Sequence, residues 1–436
     1  MIDIVVLFKK IFSPSKNSFF NNVLILLGGS ALGQVINLLM SPVITRIFPP
    51  EAFGVFGVFT SVINILTNSS SLKLEMALPL QKETDEFIEL LWICLFANLG
   101  YALLIAAVLI FIPISVYETF NVSELVDFLW LIPLTLLITG CTRILTSAVV
   151  RFKAYKAISY SFINQILVKN VVQIILGLFS ASGLSLIFGT FFNQGTGMTN
   201  LIRVLKKRKV LTWTPLSKLI IFSHVKEHRD YIFYGTPSGL INALGLYLPV
   251  PLVMYYFGPK EAGGLAFCIT LISLPMRVVG KSVSQAFIGE CAEMIREKKP
   301  GLSKLYKNLI LRLSLLILVP FIIATFWGQP IFKLFFGQEW SQSGYFIQIL
   351  ALPFCLQFIS SPLSQILNLL TLQKVQLIWD IIRVILTIGT LCLPPILGYA
   401  IDPTILIYSV GSSISYVLLI LICLKYVTLK EKNIIR

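Results

Sequence analysis

The sequence predicts an all-α integral membrane protein with about twelve transmembrane helices in two six-helix bundles. Of its 436 residues, 56% are hydrophobic and only 13% are charged, whereas soluble domains carry roughly 25% charged residues. The apolar residues form repeated runs of about 20, the length that a helix needs to cross ~30 Å of hydrocarbon. Because backbone amides in hydrocarbon must bond within their own segment, each crossing is predicted to be helical.

The apolar runs place the twelve predicted spans in order along the chain. They cover residues 22–44, 52–72, 88–112, 128–150, 157–179, 184–202, 231–257, 262–288, 309–328, 343–370, 375–398 and 403–424.

The basic residues orient these spans. Of the 35 lysines and arginines, 26 lie in the terminal segments or in connections on the same side of the membrane as both termini. Only Arg46, Lys260 and Lys333 lie in connections on the opposite side. Short cytoplasmic loops collect lysine and arginine, so both termini are predicted to be cytoplasmic. The net charge of +15 is therefore interpreted as membrane anchoring, with no nucleic-acid partner.

A short internal similarity predicts that the two halves are duplicated. Phe48-Pro49-Pro50-Glu51-Ala52-Phe53-Gly54 resembles Phe257-Gly258-Pro259-Lys260-Glu261-Ala262-Gly263-Gly264 when one inserted residue is allowed, which pairs Gly54 with Gly264. Six spans per half predict a parallel repeat, with the substrate between the halves. The predicted divisions are an interfacial segment 1–21, a first bundle 22–202, a basic linker 203–230, a second bundle 231–424 and a tail 425–436.

Polar residues at helical spacing follow one face of several spans. Polar helix faces are unfavourable in contact with lipid, so we interpret them as the lining of a cavity between helices. The alternative interpretation is that their side chains form hydrogen bonds between helices. The residues predicted to line the cavity are Gln34, Asn37, Asn64, Gln165, Gln173, Gln357, Asn368 and Asp380.

Cations inside the spans predict an anionic passenger. Lys169 and Arg383 lie near the middle of the fifth span of each half, and Arg277 and Lys281 lie deeper than a loop anchor would. Each costs ~2.5–3.5 kcal/mol at the bilayer centre, and a pyrophosphate suits such groups. Arg46 and Arg277 are the first choices for head-group contacts. Asp380, one turn from Arg383, is interpreted either as its ion-pair partner or as a proton carrier.

The cysteines and histidines predict no metal site and no cofactor. Seven cysteines are scattered without a CxxC spacing and are interpreted as small apolar side chains. His224 and His228 have the spacing of a metal clamp, but without an apparent third ligand they are interpreted as solvated loop residues.

Three stretches at the first two spans share a pattern with a known family: Gly29-Ser30-Ala31-Leu32-Gly33, Pro42 to Gly54, and Leu72-Lys73-Leu74-Glu75-Met76-Ala77, where lysine replaces the commoner arginine. They resemble the opening of the polysaccharide transporters, the O-antigen flippase (Wzx-type) branch of the multidrug/oligosaccharidyl-lipid/polysaccharide (MOP) exporters. The resemblance implies two bundles that open alternately to either side of a bacterial inner membrane. It also implies an undecaprenyl-pyrophosphate-linked oligosaccharide as passenger. The predicted substrate-binding residues are Arg46, Lys73, Lys169, Arg277, Lys281 and Arg383.

Three other functions stay open on the sequence. An exporter of small molecules would share the fold, although few buried acids disfavour cation export. A membrane glycan polymerase or ligase would need a larger outward loop than the connections of about 15 residues or fewer found here. A scaffold without transport activity would tolerate changes to the polar faces. The predicted partners are the lipid-linked oligosaccharide, membrane lipids and other polysaccharide-assembly proteins.

Overall fold

The computed structural model describes residues 18–120, 123–276, 280–297, 300–370 and 372–435, and its regular elements are helical. A helix coincides with each predicted span. We number them α1 to α12 and divide the two interrupted ones into a and b parts. Their bounds are α1 Ser18–Ile47, α2 Pro50–Thr67, α3 Thr84–Phe111, α4 Leu131–Arg151, α5 Tyr155–Phe179, α6 Gly183–Lys207, α7a Thr236–Tyr247, α7b Pro249–Phe257, α8a Pro259–Ile272, α8b Lys281–Arg296, α9 Leu302–Phe336, α10 Ser341–Leu363, α11 Gln373–Ile396 and α12 Ile401–Ile435.

Shorter helical segments join these helices. The predicted interfacial residues of the N-terminus that precede Ser18 lie outside the described part of the chain. The α-helical connections are Ile114–Thr119, Lys218–Glu227 and Gln365–Leu369; the tighter turns are Leu74–Met76, Leu78–Leu80, Ser123–Phe128 and Gln338–Trp340; a π-helical turn, Tyr231–Gly235, precedes α7a.

The helices are those of a multi-pass membrane protein. Within the described residues, eight helices are long and apolar enough to cross a bilayer by length and composition, and α7a with α7b forms a ninth candidate that bends by 44°. The twelve predicted spans are consistent with this count. Both α9 and α12 have 35 residues, about 50 Å at 1.5 Å per residue, so each is longer than the hydrocarbon core.

The two halves repeat the same packing. In the first half α5 packs against α1 and α6, and α4 packs against α3 and α6. In the second half α11 packs against α7a and α12, and α10 packs against α9 and α12. Each of the four packed pairs in the first half therefore has a counterpart in the second half whose helix numbers are higher by six. The predicted parallel repeat is therefore visible in the packing as well as in the sequence.

The halves meet most closely where α2 crosses α8a. Each helix begins with a proline, Pro50 or Pro259, in the first turn. A methyl group on Gly54 would lie 2.1 Å from the Pro259 carbonyl oxygen, and one on Gly263 would lie 1.7 Å from the Pro50 carbonyl oxygen. The contact is reciprocal, so Gly54 is equivalent to Gly263. The sequence alignment that paired Gly54 with Gly264 is wrong by one residue.

An aromatic cluster lies beside this crossing, at the predicted outward end. The Phe53 ring of α2 lies 4.8 Å from Trp340 and 5.5 Å from Phe267, measured between ring centroids. The buried Trp340 indole also donates a 3.0 Å hydrogen bond to the Thr45 carbonyl oxygen at the end of α1. Trp340 belongs to the second half, so these contacts hold the two halves together at this end.

Trp340→Phe is expected to weaken the closed arrangement of this end. The phenyl ring retains apolar contact but loses the bond to Thr45, at a cost of about 1 kcal/mol, or roughly fivefold in the closed population. Labelling of a cysteine introduced at Ser41 by a membrane-impermeant reagent measures that population. Trp327→Phe, at an exposed site on α9, is the control; equal labelling in both variants would contradict the expectation.

Candidate functional site

A polar cavity of about 280 Å³ lies between the halves. The first half contributes α1, α2, α5 and α6, and the second contributes α7 and α8a. Asn64, at the end of the cavity away from the aromatic cluster, is exposed, so solvent reaches the cavity from that end. Its polar lining residues are Asn37, Ser41, Thr60, Ser61, Asn64, Lys169, Gln173, Thr190, Asn193, Tyr247 and Thr270.

Lys169 is the one charged residue among the described residues that line this cavity. It lies half-buried on α5 with its ammonium 5.8 Å from the centroid of the Phe56 ring on α2. One turn along α5, the Gln173 amide donates a 2.9 Å bond to the Leu186 carbonyl oxygen of α6. Gly189 permits this approach, because a methyl group there would lie 2.3 Å from Gln173 Cγ. The α5–α6 contact therefore fixes the helix that carries the cation.

The other polar groups of the lining are neutral, and they lie among apolar residues such as Phe53, Val250 and Ile269. On α2 the Thr60 hydroxyl bonds to the Phe56 carbonyl oxygen at 2.9 Å, and the Asn64 amide bonds to the Thr60 carbonyl oxygen at 2.7 Å. Each of these bonds within α2 uses one donor of the side chain, so the side-chain oxygen atoms can still accept hydrogen bonds. The cavity therefore combines a cation with amides and hydroxyls and has no carboxylate among its described lining residues. This chemistry suits an anionic solute rich in hydroxyl groups.

The structure thus brings together Lys169, Asn37, Asn64 and Gln173 of the predicted set. It also adds Thr190 and Asn193 from α6, which the sequence reasoning missed although their spacing of three places them on one face. Tyr247, at the bend of α7, had no periodic signal.

Arg383 and Asp380 lie elsewhere, and their predicted place in the cavity is corrected. Arg383 Nη2 lies 3.2 Å from Asp380 Oδ1 and donates to the Asn242 carbonyl oxygen at 2.9 Å. Asp380 also accepts from the Asn242 and Gln376 amides. Both charged residues are buried between α11 and α7a. An opposite charge within hydrogen-bonding distance holds the arginine away from the passenger's space.

Four predicted cavity amides also lie outside the cavity lining. Gln34 is buried, and its side-chain oxygen has no hydrogen-bond partner among the described residues. Gln165 donates to Ser161 and lies against Gly197, while Gln357 is buried in α10. Asn368 lies in the short helix Gln365–Leu369 and donates to Gln365. The hydrogen bonds described for Gln165 and Asn368 are to residues of their own helices, so hydrogen bonding between helices by these four amides stays a prediction.

The other predicted substrate-binding cations are Arg46, Arg277, Lys281 and Lys73. Arg46 is exposed at the end of α1 and does not line the cavity. Arg277 lies outside the described residues, as does the side chain of Lys281. Lys73 follows α2 at the predicted cytoplasmic end, where its Nζ lies 3.1 Å from Asn68 Oδ1 and its side chain packs against Gly239 of α7a. Burial, and then the nearby charge of Arg143, lower the pKa of Lys73.

Arg143 has a structural partner that the sequence did not suggest. Its guanidinium lies 3.3 Å from the Glu75 carboxylate and donates to the Thr67 carbonyl oxygen at 3.0 Å. The Ser71 hydroxyl also bonds to Glu75. This network ties the turn after α2 to α4, so it positions the segment that carries Lys73.

Two helical halves around a central polar cavity define a transporter. The chain belongs to the family described as "Polysaccharide biosynthesis protein", whose sequence profile matches residues 43–345. It is 23% identical over 373 residues to the succinoglycan biosynthesis transport protein ExoT of Rhizobium meliloti (strain 1021), covering 84% of this chain and 72% of that protein. Membership of this family agrees with the resemblance seen in the first two spans.

Solved transporters share the fold. An inward-facing MATE-family multidrug transporter of the MOP superfamily superposes with a TM-score of 0.73 at 12% identity, covering 92% of this chain and 96% of that chain. The lipid II flippase MurJ in an inward closed conformation gives 0.70 at 15% identity, covering 92% and 87%.

Proposed function

We propose that the protein is a flippase that carries undecaprenyl-pyrophosphate-linked oligosaccharides from the cytoplasmic to the outer leaflet of a bacterial inner membrane. The assembled surface polysaccharide would be an O-antigen or a related glycan. The observation that carries the proposal is the lining of the inter-half cavity, where the Lys169 ammonium lies among amides and hydroxyls. Family membership supports a saccharide passenger.

The cavity chemistry matches both parts of such a head group. An ammonium attracts the diphosphate as a movable point charge, and Asn37, Asn64 and Gln173 offer donors and acceptors to sugar hydroxyls. The lipid tail remains in the bilayer during transfer. Export of a cationic small molecule fits less well, because the described lining offers it no carboxylate.

The way the halves meet supports alternating access. In the present arrangement, α2 and α8a close the predicted outward end while Asn64 is exposed at the other end. With both termini cytoplasmic, as the basic residues predict, this is the state that loads the head group from the cytoplasm. Rocking of the halves then separates the α2–α8a crossing and releases the head group outside.

Lys169→Ala is expected to lower transport 10- to 100-fold, because a hydrogen bond to a charged group contributes about 1.5–3 kcal/mol. Lys169→Arg retains the charge and is expected to keep most activity. The measurement is transfer of a labelled undecaprenyl-pyrophosphate oligosaccharide into vesicles that contain the purified protein.

Lys156→Ala is the matched control, since Lys156 is an exposed lysine at the start of the same helix. Each variant is first checked for its amount in the membrane. The proposal fails if correctly inserted Lys169→Ala protein transfers the oligosaccharide at the rate of the control. If Lys169→Ala protein loses export of small molecules but keeps oligosaccharide transfer, the result would instead indicate a drug exporter.

A further inference from the structure

The linker between the halves carries a short helix, Lys218–Glu227, that is docked on the first half. His224 Nε2 lies 3.1 Å from Glu89 Oε2 on α3, and His228 Nε2 lies 3.0 Å from the Gln81 amide nitrogen before α3. His224 is buried, so its interpretation as a solvated loop residue is wrong. Both imidazoles are held between the linker and the first half.

These histidines have a third ligand beside them. His224, Glu227 and His228 each offer one ligand atom, and the three atoms lie within 4.8 Å of one another. The two imidazoles are stacked with centroids 6.2 Å apart. Zinc–nitrogen distances of ~2.0–2.1 Å place tetrahedral ligands about 3.3 Å apart, so side-chain rotation must close the site by about 1.5 Å. Glu227 is exposed, so its side chain has room for that rotation.

The hydrogen bonding of His224 leaves a ligand atom without a partner. Since a carboxylate accepts, the contact with Glu89 requires the proton on Nε2, and the lone pair of the neutral ring is then on Nδ1. Nδ1 is buried and has no hydrogen-bond partner among the described residues. An unsatisfied buried polar group costs about 1–3 kcal/mol, and a metal ion would remove this cost. A carboxylate behind a ligating imidazole is also the arrangement that fixes histidine ligands in metal sites.

We propose that His224, Glu227 and His228 bind a divalent ion of the zinc class, with Glu89 orienting the His224 ring. Three protein ligands leave a fourth position for water. All three ligands belong to the linker, whereas Glu89, which holds the His224 ring, belongs to α3. The bound ion therefore stabilises the linker helix and, through the oriented His224 ring, its contact with α3.

The first experiment measures binding of Zn²⁺ to the purified full-length protein after treatment with a chelator. One ion per chain is expected with micromolar or tighter affinity. His224→Ala and His228→Ala are expected to weaken binding at least 10-fold, and Glu89→Gln 10- to 100-fold, the usual effect of removing such an orienting group. Lys226→Ala, an exposed change on the same helix, is the matched control and is expected to bind as the unaltered protein does.

Two further readouts separate this site from other binding. A Co²⁺-loaded protein should show tetrahedral ligand-field bands without the thiolate charge-transfer band that the seven free cysteines would add. Zn²⁺ should also slow trypsin cleavage after Lys226 and Arg229, and should not do so in His224→Ala. A thiolate band, or full Zn²⁺ binding by the double variant His224→Ala/His228→Ala, would overturn the proposal. Oligosaccharide transfer is not used as a readout, so this test is independent of the proposed function.

Discussion

Gly263→Ala is expected to hold the predicted outward end of the transporter open and to reduce transport more than 10-fold. A methyl group at this position would lie 1.7 Å from the Pro50 carbonyl oxygen, and that atom belongs to helix backbone that cannot rotate away. In the present arrangement α2 and α8a meet at this crossing, and under the proposed alternating access they separate when this end opens. Overpacking costs about 1–3 kcal/mol, which shifts the balance between the two states about 5- to 150-fold.

The neighbouring residue provides the control. In Gly264→Ala the new methyl group would lie 3.2 Å from the Ser343 hydroxyl, a small side-chain end that can move. Alanine also favours the helix over glycine by about 1 kcal/mol, so a general effect of the substitution would be stabilising in both variants. Labelling of a cysteine introduced at Ser41, in a background without native cysteines, reports opening from outside. The same labelling and transport in Gly263→Ala and Gly264→Ala would show that the crossing does not close the cavity.

The fold was largely predictable because its strongest determinants are local. A run of apolar residues long enough to cross the bilayer has to be helical, so every predicted span coincides with a helix. The repeat was also visible in the Pro50 and Pro259 segments. Its register was not, because the equivalence of Gly54 and Gly263 depends on which backbone atoms meet across the crossing, and an alignment of seven residues contains no such information.

The site was predictable only in part. Helical spacing shows which residues share a face of a helix, but it does not show whether that face lines the cavity or packs against another helix. Lys169 and Arg383 lie on the equivalent helices α5 and α11, yet Lys169 lines the cavity and Arg383 turns towards Asp380 and Asn242. Asp380, one turn away, was a visible signal for that pair. The partner on α7a was not, since it is 141 residues distant in sequence. Glu227 likewise stood next to His228 in the sequence, but only the docked linker shows three ligand atoms together.

Arg383→Met is expected to be among the most destabilising single changes in the second half. It leaves the Asp380 carboxylate, only 1% exposed, without its cation, and breaking a buried ion pair from one side costs about 3–5 kcal/mol. It also removes the donor to the Asn242 carbonyl oxygen and the guanidinium that lies 4.7 Å from the centre of the Trp379 ring. Thermal unfolding of the detergent-purified protein, followed by size-exclusion chromatography, measures the loss. Arg312→Met, at an exposed position on α9, is expected to change the unfolding temperature little.

The double variant Asp380→Leu/Arg383→Met separates a structural pair from a proton carrier. Replacing both charges with apolar groups of similar volume is often neutral or stabilising, so the double variant is expected to recover most of the stability lost in Arg383→Met. Because the pair lies outside the cavity lining, the recovered protein should also transfer the oligosaccharide with the pH dependence of the unaltered protein. A stable double variant whose transport no longer responds to pH would instead assign proton coupling to the Asp380–Arg383 pair, in which Asp380 is the carboxyl group that can carry a proton.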